Sequence, residues 1–391
     1  MTGLAFLGPA LAPAPPAGPA PLGGAWFRLV ERAATLDLAG DLGDADRVRA
    51  LLHLLDDAPP PGTLTVALIG YEAGVALDGR APRRARDPAL GPDLAVWRAR
   101  PTTAPTREPP HRLRLAVGER AHTHHLARVQ AAKELLLDGV IYQANLAHRM
   151  AVAPATRAQA LGLFQAALEG GLPPCAAWLD LDGFGSVVSL SPERFVTVDP
   201  ATTTARAYPI KGTRPRGATP DEDRARLAEL CASEKDAAEH VMIVDLLRND
   251  LGRLAVAGGV TVERLLDVVS VKNVHHLEST VAALLGDGLR NSDVLAATLP
   301  GGSITGAPKS SAIESIAALE DGPRGLYTGA LAVVDEHGAL RSSLLIRTWL
   351  RPDEGQGALH VGGGIVVDSE PEAEWAETIA KARAFGDVSP C

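Results

Sequence analysis

The sequence predicts a large globular fold that mixes helices with strands, and three observations carry that expectation. Hydrophobic residues make up 46% and charged residues 22% of the 391 residues, an ordinary globular balance with length for roughly two to three domains. Apolar strand-like runs, such as residues 64–70 and 140–151, alternate with helical spacing such as Val48, Leu51, Leu52 and Leu55. The alternation has no fixed period, which excludes a repeat architecture. The order of elements alone leaves both α+β and α/β open.

The net charge of −9 supplies no basic field to gather polyanions, which argues against nucleic acid as a partner. A small anionic substrate then has to be held by a few local cations. Cys175, Cys231 and Cys391 stand far apart without C-x-x-C spacing, so neither a disulfide framework nor a zinc site is expected and a reducing cytoplasm fits. Residues 1–24 contain six prolines and no Lys or Arg. That pattern matches neither a secretory signal nor a membrane-spanning helix. The expectation is a cytoplasmic protein with no membrane partner.

Residues 1–24 read as a loose Pro/Ala-rich tail, 25–110 as an N-terminal region and 111–388 as the main body. Asp44 stands at an N-cap position before the helical spacing of residues 48–55, and Pro59-Pro60-Pro61-Gly62 ends that helix. Residues 81–110 are rich in Pro and Arg and read as a surface crossing, with a short apolar piece at Leu94-Ala95-Val96-Trp97. In the main body, Leu113, Leu115 and Val117 alternate as in a half-buried strand. Helices are expected over 124–137 and 157–169, and strands over 140–151, 176–181 and 186–190.

Two glycine-rich segments invite a phosphate-binding reading. The segment from Gly301 to Ser310 lacks the spacing of a phosphate loop, because Ala307 and Pro308 separate the last Gly from Lys309 and Pro308 has no amide to donate. Gly362-Gly363-Gly364 follows a strand-like run. It reads either as a tight bend or as backbone that lets a ligand approach closely. Two acidic helices add carboxylates. Asp236 and Glu239 share a face at i, i+3 on a helix expected from Ser233 to about Leu247, where Ser233 and Asp236 also have capping-box spacing. Glu374, Glu377 and Lys381 fall within about 60° on a helix that opens at Ser369, with Glu372 completing a capping box. Glu377 and Lys381 also read as an ordinary i, i+4 ion pair. Two such carboxylate pairs brought together would suit Mg²⁺, which takes few direct carboxylates and keeps several waters.

Several long motifs stand in a fixed order: Ser191-Pro192-Glu193, Pro209-Ile210-Lys211-Gly212-Thr213, Ile243 to Gly252, His276-Leu277, Pro300 to Lys309, Ile346-Arg347-Thr348, Gly362 to Ile365 and Glu377-Thr378. They resemble those of the chorismate-utilising family over about 70% of the chain, residues 113–385. The resemblance implies an α+β fold with a two-lobed sheet core flanked by helices, and chorismate bound beside Mg²⁺ in the cleft. It places the metal on Glu239 and Glu377, with Asp236 and Glu374 as partners through water. Substrate contacts fall to Arg347, Tyr327, Lys381, Thr213, Gln143 and the amides around Gly363. Glu193 matches the general acid that protonates the departing C4 hydroxyl, which requires a raised pKa, and His276 matches a histidine near the same leaving group.

Two positions separate the family members. Where isochorismate and salicylate synthases resemble one another in a water-activating lysine, this chain has Gln143, which cannot act as a base. Anthranilate synthases usually have Ala where this chain has Lys211. In the branch that makes 4-amino-4-deoxychorismate that lysine attacks ring C2, so burial and neighbouring cations are expected to depress its pKa. The resemblance then implies ammonia supplied by a separate glutamine amidotransferase subunit, with anthranilate formation as the alternative. His240 and Glu278 depart from the usual pattern, and Glu278 is expected to perturb His276.

Overall fold

A computed structural model describes residues 3–13, 24–38, 44–81, 87–171, 173–271 and 274–390. In chain order its elements are β1 (Leu4–Leu7), β2 (Ala25–Leu36), α1 (Asp44–Leu52), β3 (Leu64–Ile69), α2 (Tyr71–Leu77), β4 (Leu94–Pro101), β5 (Leu113–Val117), α3 (Glu119–Leu137), β6 (Gln143–Val152) and α4 (Arg157–Gly171). There follow β7 (Ala177–Leu181), β8 (Gly185–Ser189), β9 (Arg194–Asp199), β10 (Thr204–Ala207), β11 (Ile210–Pro215), α5 (Pro220–Cys231), α6 (Glu234–Gly252), β12 (Ala255–Ser270) and β13 (Val274–Leu285). The chain closes with α7 (Asn291–Thr298), α8 (Gly302–Thr305), β14 (Gly306–Ala307), α9 (Lys309–Leu319), β15 (Ala330–Val334), β16 (Leu340–Leu344), β17 (Thr348–Pro352), β18 (Gly357–Ile365), α10 (Pro371–Ala382) and β19 (Gly386–Pro390).

The strand pairings trace one ribbon in two halves. The first half runs β19-β5-β6-β18-β17-β8-β7-β1. The second runs β2-β4-β3-β15-β16-β9-β10-β13, with β11 and β12 also on β13. Every pair is antiparallel except β5 with β19. The β1–β2 pair joins the halves, and an apolar core that includes Leu7, Leu29, Leu68, Leu179, Leu331 and Leu350 draws on both. A second core lies where α1, α6 and α7 cover the other half, and a third where α4 and α10 cover the first. The helices segregate to the outer faces of a largely antiparallel sheet, which resolves the class as α+β.

Four segments differ from the sequence expectation. Residues 4–7, expected in a loose tail, form β1 between β2 and β7, with Leu7 and Leu11 fully buried. Burying such a leucine contributes about 1.5–3 kcal/mol, which anchors this stretch despite its prolines; residues 14–23 of the expected tail lie outside the described residues. The expected surface crossing contains β4, an interior strand paired to β2 and β3, because Leu94, Ala95, Val96 and Trp97 are all buried. Helix α3 starts at Glu119 rather than near residue 124, and α6 continues to Gly252. No helix among the described residues is long and apolar enough to cross a membrane.

Candidate active site

The two halves of the ribbon leave a cleft of about 760 Å³ between them. From the first half come the glycine strand of β18 and the start of β6; from the second come β11, the Glu193 turn and α8. Helices α6 and α10 close its sides. Where the chain crosses between β16 and β17, Arg347 holds a left-handed backbone at φ 48°. A non-glycine residue there is strained, and such strain persists where surrounding structure enforces it, commonly at functional sites.

Lys211, Glu193, Thr213, Tyr327, Arg347, Lys381, Glu239, Glu377, Asp236 and Glu374 all line the cleft. Gly363, Gln143 and His276 lie just behind its wall. A Cβ on Gly363 would stand 3.2 Å from Glu374 Oε2 and 3.8 Å from Glu377 Oε1. Gln143 is 1% exposed and presses against Gly364 beside the Lys211 ammonium, with neither amide atom hydrogen-bonded. The glycine run is therefore part of an extended strand in register with β6 and not a tight bend. A Cβ on Gly362 would meet Leu146 O and Ala147 of β6, and one on Gly364 would meet Gln143 Nε2 and then Lys211 Nζ.

Lys211 precedes a bulge: it pairs with Leu277, while Thr213 pairs with His276. Gly212 takes φ +74°, and a Cβ there would meet Leu230 at 3.0 Å and Asp236 at 3.1 Å. This glycine lets β11 bend closely over α5 and α6. Burial depresses the Lys211 pKa and Lys381 adds to that, while Glu239, Glu193 and Glu377 oppose it. Glu193 shows the opposite response. It is 7% exposed, accepts from Ser303 Oγ at 2.7 Å, and burial pushes its carboxyl up to about 7 against the lowering pull of Ser303, Lys211 and Arg347. An acid and an amine thus face one cleft with their pKa values driven toward neutrality.

Burial lowers the pKa of His276, and Arg347 lowers it further. Contrary to expectation, Glu278 is not among the groups that shift His276; it pairs with Arg194 Nη2 at 2.8 Å and instead adds to the rise of the Glu193 carboxyl. Lys309 Nζ pairs with Asp250 Oδ2 at 2.5 Å, so the Gly301 loop uses its lysine structurally and not as a phosphate ligand.

Ser233 caps α6 by accepting from Asp236 N at 3.2 Å, as its spacing predicts, and Asp236 Oδ2 takes Arg214 at 3.1 Å. The box expected at Ser369 does not form. Glu370 is the N-cap, Ser369 Oγ donates to Glu374 Oε1 at 2.6 Å, and Glu372 pairs with His122. Lys381 Nζ lies 2.7 Å from Glu377 Oε1 and donates to Gly362 O at 2.6 Å. Burial raises the carboxyls of Glu239 and Glu374, and neither has an ion pair among the described residues. Among those residues no three His, Cys, Asp or Glu side chains converge to hold a metal. An ion that keeps its waters needs only one or two direct carboxylates, and half-buried carboxylates without a cation suit one.

The charges lining the cleft balance. Glu193, Asp236, Glu239, Glu374 and Glu377 face Lys211, Arg214, Lys235, Arg347 and Lys381, so the protein alone offers no net attraction for a dianion. The motifs assign no role to Ser303, Asn145, Arg214 or His360, yet all four line the cleft. Ser303 lies inside the Pro300 to Lys309 motif, and Asn145 lies on the strand that carries Gln143. His360, stacked on Tyr327 at 5.2 Å, stands alone on a strand and leaves no local signal.

A family model described as chorismate binding enzyme matches residues 22–387. The chain belongs to the chorismate-binding enzyme family. The match begins well before the motifs do, because β2, β3 and β4 are integral to the same sheet. The Escherichia coli (strain K12) relative named aminodeoxychorismate synthase component 1 is 44% identical over 255 residues, 65% of this chain and 55% of that protein. The Haloarcula marismortui relative named anthranilate synthase component 1 3 is 41% identical over 258 residues, 66% of this chain and 50% of that protein. The chain spans about half the length of these curated relatives. The solved structure of anthranilate synthase component I from Streptococcus pneumoniae TIGR4 aligns with a TM-score of 0.76 at 22% identity, covering 92% of this chain and 91% of that one. The chorismate-binding fold, two-lobed and α+β, is the architecture of this chain.

Proposed function

We propose that this chain converts chorismate and ammonia to 4-amino-4-deoxychorismate in the cytoplasm, for p-aminobenzoate synthesis, the ammonia coming from a separate glutamine amidotransferase subunit. The observation that carries this reading is the placement of Lys211: a lysine with a depressed pKa in the cleft wall, beside the Gly364 backbone and opposite an acid raised to about 7.

The neutral Lys211 amine attacks ring C2, the two ring double bonds shift, and the C4–O bond breaks as Glu193 delivers its proton, releasing water. The new C2–N bond leaves the Lys211 nitrogen as a secondary ammonium, which can depart later as the neutral amine. Ammonia then attacks C4, the double bonds shift back and the lysine amine leaves C2. Glu193 ends by taking a proton from the new ammonium, so chorismate and ammonia give the amino product and water. Arg347, Tyr327, Lys381 and Thr213 orient the substrate carboxylates, and His276 polarises the leaving hydroxyl. Glu239 and Glu377, with Asp236 and Glu374 as partners, would hold Mg²⁺, which would supply the positive charge that a charge-balanced cleft lacks for a dianion.

The test is incubation of the purified chain with chorismate, Mg²⁺ and ammonium. The expected product yields p-aminobenzoate only after a lyase is added. Direct release of anthranilate and pyruvate would instead establish the alternative, anthranilate synthase component I.

A further inference from the structure

Helix α10, which presents Glu374, Glu377 and Lys381 to the cleft, is held from behind by a contact that the reaction scheme does not use. His148 of β6 is 7% exposed, and its Nε2 lies 2.9 Å from Oγ1 of the fully buried Thr378. Its ring stacks on Trp375 with centroids 4.8 Å apart and planes at 24°. His125 of α3 closes the group, 5.2 Å from His148 and 5.5 Å from Trp375.

Hydrogen-bond direction determines the tautomer. The Thr378 hydroxyl donates to Trp375 O at 2.8 Å. Toward His148 it therefore accepts, so Nε2 carries the imidazole proton. Nδ1 of His148 and both ring nitrogens of His125 are buried without hydrogen-bond partners. Burial lowers His148 to about 3 and His125 to about 4, so both are neutral. An unmatched buried nitrogen is destabilising relative to an apolar side chain of similar size, and a native structure that keeps one calls for a reason.

The one matched nitrogen touches α10. At 3.6 residues per turn, Glu374, Glu377 and Lys381 span an arc of about 60°, and Thr378, Trp375 and Ala382 occupy the adjacent one. Rotating the helix by about 20° would move a carboxylate lying ~6 Å from its axis by ~2 Å, and a misplacement of that order can lower a rate about 100-fold.

We propose that His148 is a positioning residue which, through Thr378 Oγ1 and the Trp375 ring, sets the rotation of α10 that aims Glu374, Glu377 and Lys381 into the cleft. The inference rests on reading those three as groups that face substrate and Mg²⁺. Thr378→Val and His148→Leu delete the hydrogen bond at similar volume, whereas Thr378→Ser and His148→Gln keep an acceptor and a donor. Chorismate affinity by calorimetry at fixed Mg²⁺, half-saturating Mg²⁺ in turnover, and melting temperature are compared.

The two deleting variants are expected to weaken chorismate binding about tenfold each and to raise the half-saturating Mg²⁺, with the double variant no worse than either single. The two conservative variants should stay within about twofold of the parent. Folded deleting variants that bind as the parent does, or losses that multiply in the double variant, would overturn the proposal. Imidazole ¹⁵N shifts of the intact chain read the tautomer without any variant, and a proton on Nδ1 overturns it too. Glu377→Gln run in parallel separates the two readings. If it changes neither chorismate affinity nor Mg²⁺ dependence, the role of Glu377 falls, while the His148–Thr378 cycle still decides the coupling.

Discussion

Ser303 Oγ donates to Glu193 Oε1 at 2.7 Å across 110 residues of chain. A hydroxyl that donates to a carboxylate favours its charged form, so Ser303 holds down an acid that burial drives to about 7. If Glu193 delivers its proton to the leaving hydroxyl, kcat/KM falls as pH rises through about 7. Ser303→Ala should move that limb to higher pH, since the carboxyl loses the bond that opposed burial. A pH profile of the variant whose limb stays in place, or moves down, would refute the assignment.

Glu193→Gln should lower kcat by roughly 10²- to 10⁴-fold while making the protein more stable at pH 8. The folded carboxyl titrates at about 7, above its usual 4.5. The folded state therefore binds more protons than the unfolded state between those values, and stability falls as pH rises through them. A neutral amide removes that penalty. Denaturant midpoints at pH 5 and pH 8 check it, and the variant's advantage should appear only at the higher pH.

Lys211 has the opposite sign. Its pKa lies below the usual 10.5, so the unfolded chain binds more protons and stability rises with pH across the window between the folded value and 10.5. Lys211→Met is expected to raise the melting temperature at pH 7 by a few degrees and to abolish amination together with any chorismate adduct seen by intact-mass spectrometry. Retention of both activity and adduct would remove the lysine from the chemistry.

Gly363→Ala places a methyl group 3.2 Å from Glu374 Oε2 and 4.0 Å from Lys381 Nζ. The strand accommodates alanine, so stability should change little, but the carboxylates must give way. Expected is a rise of about tenfold in half-saturating Mg²⁺ and in KM for chorismate, with kcat less affected. Steady-state kinetics across a Mg²⁺ series measures this.

Arg324 is 1% exposed and binds Glu320 through two hydrogen bonds, of 2.7 and 2.9 Å, while donating to the carbonyls of Ile304 and Asn145. Breaking a buried pair from one side is destabilising by about 3–5 kcal/mol. Arg324→Ala should show that loss in equilibrium denaturation. Because Ile304 and Asn145 line the cleft, chorismate affinity should fall with it.

By itself the sequence determined what depends on neighbours within a turn or two of chain. The Ser233 cap and the common face of Asp236 and Glu239 follow from helical spacing, as does the arc of Glu374, Glu377 and Lys381. The ordered motifs identified the family. The tertiary structure decided whatever depends on distant partners. Residues 4–7 and 94–101 are strands because other strands offer their edges, and no local period records that. Gly362 to Gly364 extend because β6 pairs with them and α10 fills the space above. Lys211 and Glu193 have pKa values driven toward neutrality because a cleft assembled from remote segments strips water from both. Desolvation belongs to the assembled fold, whereas capping and helical phase belong to the chain.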